Sequence, residues 1–112
     1  MRGDEYLNFV ADIYQIDKET RTKQIQKYAA LFELEGVLAI PISSYSHGMK
    51  QKLALISAFL HEPKLLVLDE PFVGLDSKAS FLLKKLMRAH CDRGNTIFFS
   101  THVLEVAQKL CD

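Results

Sequence analysis

The sequence predicts an α/β fold in which a helical segment precedes a small parallel βαβ unit. Three observations carry this. Two short runs, Leu65–Leu68 (LLVL) and Thr96–Phe99 (TIFF), are continuously apolar or β-branched, as in strands buried on both faces. Between them lies one stretch of helical periodicity, and two strands joined by a single helix should be parallel with a right-handed crossover. Everything before Pro63 reads as helices and turns. The expected division is therefore 1–62 and 63–112.

From the start, Asp4 to Ile16 carries Tyr6, Leu7, Phe9, Val10, Ile13 and Tyr14 at helical spacing, which predicts one buried face. Asp17 is placed to cap a second helix from Lys18 to about Leu34. The first half of that helix, KETRTKQIQK, is a solvated face; the second half buries Ile25, Tyr28, Ala29, Leu31 and Phe32. Gly36 stands where a helix end favours positive φ. Val37 to Ile42 is a short apolar connection broken by Pro41. The Ser-rich turn SSYSHG then feeds a third helix ending at His61-Glu62-Pro63. After the first strand, Asp76 can cap a helix from Ser77 to about Cys91 that buries Phe81, Leu82, Leu86 and Met87, and Gly94 closes it. His90, Lys84, Lys85 and Arg88 read as its solvated side. A last helix is expected from near His102.

Composition narrows the function. The 112 residues suit one domain. Fourteen basic and fourteen acidic side chains cancel, so no global field draws the chain to nucleic acid or anionic lipid. The opening MRGDEYLN has charges where a signal peptide needs an apolar run. The apolar stretch Leu53–Leu60 is too short to span a bilayer. Cys91 and Cys111 read as lone thiols without metal-ligand spacing, which fits a reducing compartment such as cytosol.

The chemistry lies in LLVLDEP. A strand expected to be buried ends in Asp69 and Glu70, adjacent carboxylates that repel each other and are costly to bury. In parallel α/β sheets, ligands bind beyond the carboxyl ends of the strands, and there Ser100, Thr101 and His102 would join them. Mg²⁺ reconciles the pair, since it takes one or two carboxylates together with phosphate oxygens and waters; the neighbouring acid can then position an attacking water. The plainer reading is that both residues cap the next turn. A second element is YSHGMKQK. Ser46 can cap the helix that follows, Gly48 permits close backbone approach, and Lys50 and Lys52 add charge to an anion-attracting helix start. Alone, this is more often simple capping.

In order, YSHGM, LLVLDEP, VGLD and STH resemble the nucleotide-binding domain of ABC transporters, over nearly the whole chain. The resemblance makes Tyr45-Ser46-His47-Gly48-Met49 the signature motif, Leu65–Asp69 the Walker B strand, Gly74-Leu75-Asp76 the D-loop and His102 the switch histidine. The implied fold is part of a P-loop NTPase (RecA-like) core preceded by the family's helical subdomain. The implied cofactors are ATP and Mg²⁺. Asp69 would hold Mg²⁺ through water, Glu70 would polarise the hydrolytic water, and His102 would contact the γ-phosphate. Ser46 and Gly48, flanked in the motif by His47 and Met49, would touch ATP held by a second ATP-binding subunit; Asp76 would lie at the seam. The implied setting is the inner face of the cell membrane, against a transmembrane permease subunit, with no nucleic acid involved.

The sequence also departs from that family. No G-x-x-x-x-G-K-[ST] loop occurs, and the Q-loop and adenine-stacking aromatic are absent, so the chain reads as an internal piece, unable to hydrolyse ATP alone. Its outer strand edge would be unpaired and prone to self-association. His47 stands for a glycine, Met49 for a glutamine and Val73 for a small residue; the Tyr-Ser-x-Gly-Met pattern resembles ABC-2 type exporters of the Ecs-like and bacitracin-efflux-like groups. His47 could carry a pH-dependent charge or simply be tolerated at a permissive turn. Two other readings are a non-transport ABC ATPase and a truncated, non-catalytic interaction module.

Overall fold

The structure is a computed structural model and describes residues 1–61 and 63–100. The chain divides into two compact units, Met1–Glu62 and Pro63–Asp112. The first contains α1 (Gly3–Ile13), α2 (Lys18–Leu31), a 3-10 turn (Ile42–Ser44) and α3 (His47–Leu60). The second contains β1 (Leu65–Asp69), α4 (Ser77–Asp92) and β2 (Thr96–Ser100). The expected helix from His102 lies outside the described residues.

Local chemistry starts three of these helices. Asp17 accepts from the Thr20 backbone N–H at 2.8 Å, Ser46 from Met49 at 3.2 Å and Asp76 from Ala79 at 2.8 Å. Each bond satisfies one of the donors that a helix start leaves without an intrahelical partner. The Thr20 contacts also hold the Asp17 carboxyl below its ordinary range.

The helix ends share one device. In α1, α2 and α4 a residue in the left-handed region follows the cap: Gln15 at φ 58°, Glu33 at φ 60° and Gly94 at φ 85°. Each supports paired Schellman bonds. For α2 these run from Leu34 N–H to Ala29 C=O at 2.8 Å and from Glu33 N–H to Ala30 C=O at 3.3 Å. The α1 pair is Ile16 to Ala11 at 2.9 Å and Gln15 to Asp12 at 3.1 Å. Gly94 closes α4 as the sequence suggests. Gly36 does not close α2: the helix stops at Leu31, and Glu33 takes the positive φ instead. Leu34, expected within the helix, is buried just past it.

The first unit buries Leu7 and Ala11 of α1, Ile25, Tyr28 and Ala29 of α2, and Leu53, Ile56, Phe59 and Leu60 of α3. Tyr28 and Phe59 bring α2 and α3 together with ring centroids 6.1 Å apart. The buried line of α1 is Gly3, Leu7 and Ala11, so Phe9 and Ile13 fall on the far side and are exposed, contrary to the single broad face expected. Small residues at positions 3 and 11 set this choice by letting α1 approach its neighbours closely. Nor is the first half of α2 wholly solvated: Arg21 donates to the Ile16 carbonyl at 2.6 Å and pairs with Asp12 at 2.7 Å, tying α2 to the end of α1.

In the second unit β1 and β2 pair in parallel, from Leu65 opposite Thr96 to Asp69 opposite Ser100. Leu66 and Ile97 are buried, and α4 packs against β2. The buried line of α4 is Ala79, Leu83, Met87 and His90. Two expectations are corrected there: Phe81 is exposed, with Lys85 Nζ 5.5 Å from its ring centroid, and His90 is fully buried. Cys91 is disulfide-bonded, which corrects the reading of it as a lone thiol; Cys111 lies outside the described residues.

These geometries predict a stability series. Glu33→Gly relieves a left-handed strain and should gain about 0.5–1 kcal/mol, Gly94→Ala should lose about 1 kcal/mol, and Gly36→Ala, where a Cβ meets open space, should be neutral or stabilising. Chemical denaturation at constant m checks all three.

At the end of α3, His61 stacks on Tyr14 with centroids 3.7 Å apart and planes within 2°. Burial holds the imidazole below its ordinary range, against an opposing pull from the Ser57 backbone. A histidine whose pKa is lowered on folding contributes stability that is complete above the unfolded value of 6.5 and is lost as pH falls from there through the folded value. The melting temperature should therefore drop between pH 7.5 and 5.5 by more than it does in His61→Phe, which keeps the ring stack.

Candidate functional site

The carboxyl ends of β1 and β2 share one edge because the pairing is parallel and in register from Leu65/Thr96 to Asp69/Ser100. Asp69 is exposed and Glu70 half-buried. The strand ahead of them is buried on one face only, so the carboxylates escape the full desolvation cost that a doubly buried strand would impose.

The backbone just past β1 is tightly specified. Glu70 sits at φ 43°, a left-handed conformation unusual for a residue with a side chain. It also precedes Pro71, which disfavours anything but extended backbone at that position. The turn overrides both preferences: Val73 N–H donates to Glu70 C=O at 3.2 Å, and the Pro71 ring is fully buried. A second turn runs from Phe72 to Leu75, closed by a bond of 3.2 Å. Gly74 is its third residue and has φ 83°, which glycine takes without strain. The chain then reaches Asp76, exposed at the start of α4 and bound to the Ala79 N–H. Thus Asp69, Glu70 and Asp76 are placed within one double turn. Such strain in a named acid is a marker of functional sites.

The other cluster belongs to the first unit. Tyr45 anchors it: the ring is buried, the hydroxyl donates to the Val37 carbonyl at 2.5 Å, and the backbone N–H donates to Ile42 at 2.9 Å. Burial, then the charge of Asp4, push the phenol up from its ordinary range. Gly3 makes room for that ring, since a Cβ there would lie 3.3 Å from Tyr45 Cζ and closer still to the hydroxyl. Beyond this anchor Ser46 and His47 are exposed, and Gly48 and Met49 are half-exposed on the first turn of α3. Ser46 Oγ accepts from Met49, and that bond leaves the hydroxyl proton available to a ligand oxygen. His102 lies outside the described residues, as does Thr101. Sequence reasoning passed over Pro71, Tyr45 and Gly3 as positioning groups, although proline after an acid pair and tyrosine before a capping serine were the available signals.

Among the described residues no three His, Cys, Asp or Glu side chains cluster as a metal cage. Mg²⁺ needs none, because it uses one or two carboxylates and takes its other ligands from phosphate and water. Asp69, exposed at a strand end, fits that demand.

A family model described as "AAA domain, putative AbiEii toxin, Type IV TA system" matches residues 6–106. The chain is 37% identical over 109 residues to the uncharacterised ABC transporter ATP-binding protein YthP of Bacillus subtilis, covering 96% of this chain and 46% of that protein. It is 38% identical to EcsA, an ABC-type transporter ATP-binding protein of the same organism, over 96% of this chain and 44% of EcsA. A solved ATP-binding subunit of an ABC transporter superposes on all of this chain with a TM-score of 0.93 and 34% identity. The chain belongs to the ABC-type ATP-binding family. Its fold is that of the P-loop ABC ATPases, and it spans about half the length of these relatives. A second solved relative, 26% identical with a TM-score of 0.70 over 83% of this chain, is a dimeric ATP-binding cassette in a post-hydrolysis state with ADP and phosphate.

The cap role of Asp76 can be separated from any role at a ligand. Asp76→Ala should cost about 1 kcal/mol of stability and Asp76→Asn far less, because asparagine keeps the acceptor. Thermal unfolding of the two variants checks this.

Proposed function

We propose that this chain is the water-activating part of an ATP-hydrolysing subunit of an ABC transporter. The observation that carries the reading is the strained turn that presents Glu70 beside Asp69 at the carboxyl end of β1. Asp69 would hold Mg²⁺, which would supply charge neutralisation at the phosphates when bound. Glu70 takes a proton as the water oxygen attacks the γ-phosphorus; the bond to the bridging oxygen breaks, and ADP and phosphate leave. His102 contacts the γ-phosphate. Ser46 and Gly48 address ATP held by a second ATP-binding subunit, using an exposed hydroxyl and the N-terminal N–H groups of α3; His47 and Met49 flank them. Asp76 stands at the seam between subunits.

In this role residues 1–62 act as the helical subdomain and 63–112 as part of the catalytic core. The transported direction is export. Nod factor export ATP-binding protein I of Rhizobium meliloti is 43% identical over 70% of this chain, which supports that direction. No described helix is long and apolar enough to cross a membrane; the working position is the cytoplasmic face of the membrane, against a permease subunit.

Without a phosphate-cradling loop in its sequence, the chain alone should bind Mg·ATP no tighter than about 1 mM by titration calorimetry. The activity is tested in a chimera in which residues 1–112 replace the matching segment of EcsA. The chimera should hydrolyse ATP, and Glu70→Gln should slow turnover at least about 100-fold with nucleotide binding retained. A chimera that binds ATP and turns over equally with glutamine at 70 contradicts the proposal.

A further inference from the structure

The outer side of α4 concentrates positive charge around one exposed ring. Lys78, Phe81, Lys85 and Arg88 follow one another at spacings of three and four residues. They therefore lie along one line, opposite the buried Leu83 and Met87, with Lys84 beside it. All five are exposed, Phe81 to 61%. From Lys78 to Arg88 the line is about 15 Å long.

This charge is not offset locally. In the first unit Arg2, Arg21 and Lys23 each meet a carboxylate. Among the described residues Lys84 and Lys85 pair with none. No acid stands three or four residues from either lysine, whereas Arg88 stands four from Lys84 and three from Lys85. Like charges at that spacing destabilise a helix. Lys78 adds a cation to the first turn, where the helix dipole favours anions. The lysines rest instead against rings. Lys85 Nζ lies 5.5 Å from the Phe81 centroid, and Lys84 Nζ lies 5.8 Å from that of Phe72. Such contacts hold the ammonium groups in place and reduce the ordering cost of binding.

We infer that this side of α4 binds an acidic helical segment of a partner protein, whose carboxylates flank one apolar side chain packed on Phe81. Charge complementarity sets the sign of the partner. The straight line of cations suits a helix laid alongside, which repeats its carboxylates at the same three- and four-residue spacing. An aromatic side chain framed by cations has the composition of an interface anchor. The single ring favours a peptide over a membrane, because interfacial helices bury a broad apolar face. It also favours a peptide over single-stranded nucleic acid, whose binders stack successive bases on several rings.

The test needs no nucleotide and no turnover. The probe is a labelled peptide of about 15 residues, built from Ala and Glu with one central Leu, and binding to the whole chain is read by fluorescence anisotropy. The expected Kd is about 100 µM or tighter at low ionic strength. Phe81→Ala and the double variant Lys84→Glu/Lys85→Glu should each weaken it at least about tenfold. Lys23→Glu/Lys27→Glu on α2 makes the same change in net charge and should leave binding intact. These are exposed positions, so every variant should keep wild-type circular dichroism. No binding by the wild type overturns the inference, as does equal binding by the two α4 variants. Phe81-dependent binding of phosphatidylglycerol vesicles or of oligothymidylate, with the peptide unbound, assigns the surface to lipid or nucleic acid and overturns it. A dimer of the chain that Lys84→Glu/Lys85→Glu dissolves assigns it to a second copy and overturns it as well.

Discussion

Pro71 comes directly after Glu70 and is fully buried, so the backbone must turn at the point where β1 presents its two carboxylates. The bond from Val73 N–H back to the Glu70 carbonyl fixes that turn, and Glu70 is left at φ 43°. Much of the second unit depends on this. The turn delivers the chain to a second turn at Gly74, and from there to Asp76 and the start of α4. Helix α4 then spans the crossover that makes the strands parallel. Because they are parallel, Asp69 and Ser100 end at one edge of the sheet.

The same arrangement explains why the unit is lopsided. One helix can cover one face of a two-stranded sheet; α4 packs against β2, and Leu66 and Ile97 are the buried residues of the pair. The strand sequence LLVL places apolar residues on both faces, as a doubly covered strand needs. Leu65, Val67 and Phe98 remain exposed on the other face. The first unit is balanced differently: three helices bury a continuous apolar set, and the Tyr45 anchor holds the turn before α3. Ser46 thus rides on a buried core.

Much of this was legible in the sequence, and the reason is locality. Asp17, Ser46 and Asp76 cap helices because a short polar side chain can reach N–H groups three residues on, a property of the residue and its neighbours alone. The parallel pair is implied by two apolar runs flanking one helix. Helix ends were less legible. Gln15 and Glu33 accept left-handed backbone that glycine would take freely, because each fixes a pair of Schellman bonds and buries or half-buries the next residue. Spacing alone could not choose the buried side of α4, where Phe81 and His90 were assigned oppositely; apolar residues lie around much of that helix, and packing on β2 selected the line through Leu83 and Met87. At the candidate site the acid pair at a strand end is visible in the sequence, whereas the positive φ of Glu70 arises from a turn that only the folded chain imposes.

The central claim is that the fold carries a cost at Glu70 to place a carboxylate where a reaction needs it. The most direct measurement is the unfolding free energy of Glu70→Gly against wild type in the isolated chain. Glycine tolerates φ 43° at little steric cost, so the account predicts a gain of about 0.5–1 kcal/mol. A loss of stability on Glu70→Gly would contradict it, showing that the glutamate side chain stabilises the turn it occupies.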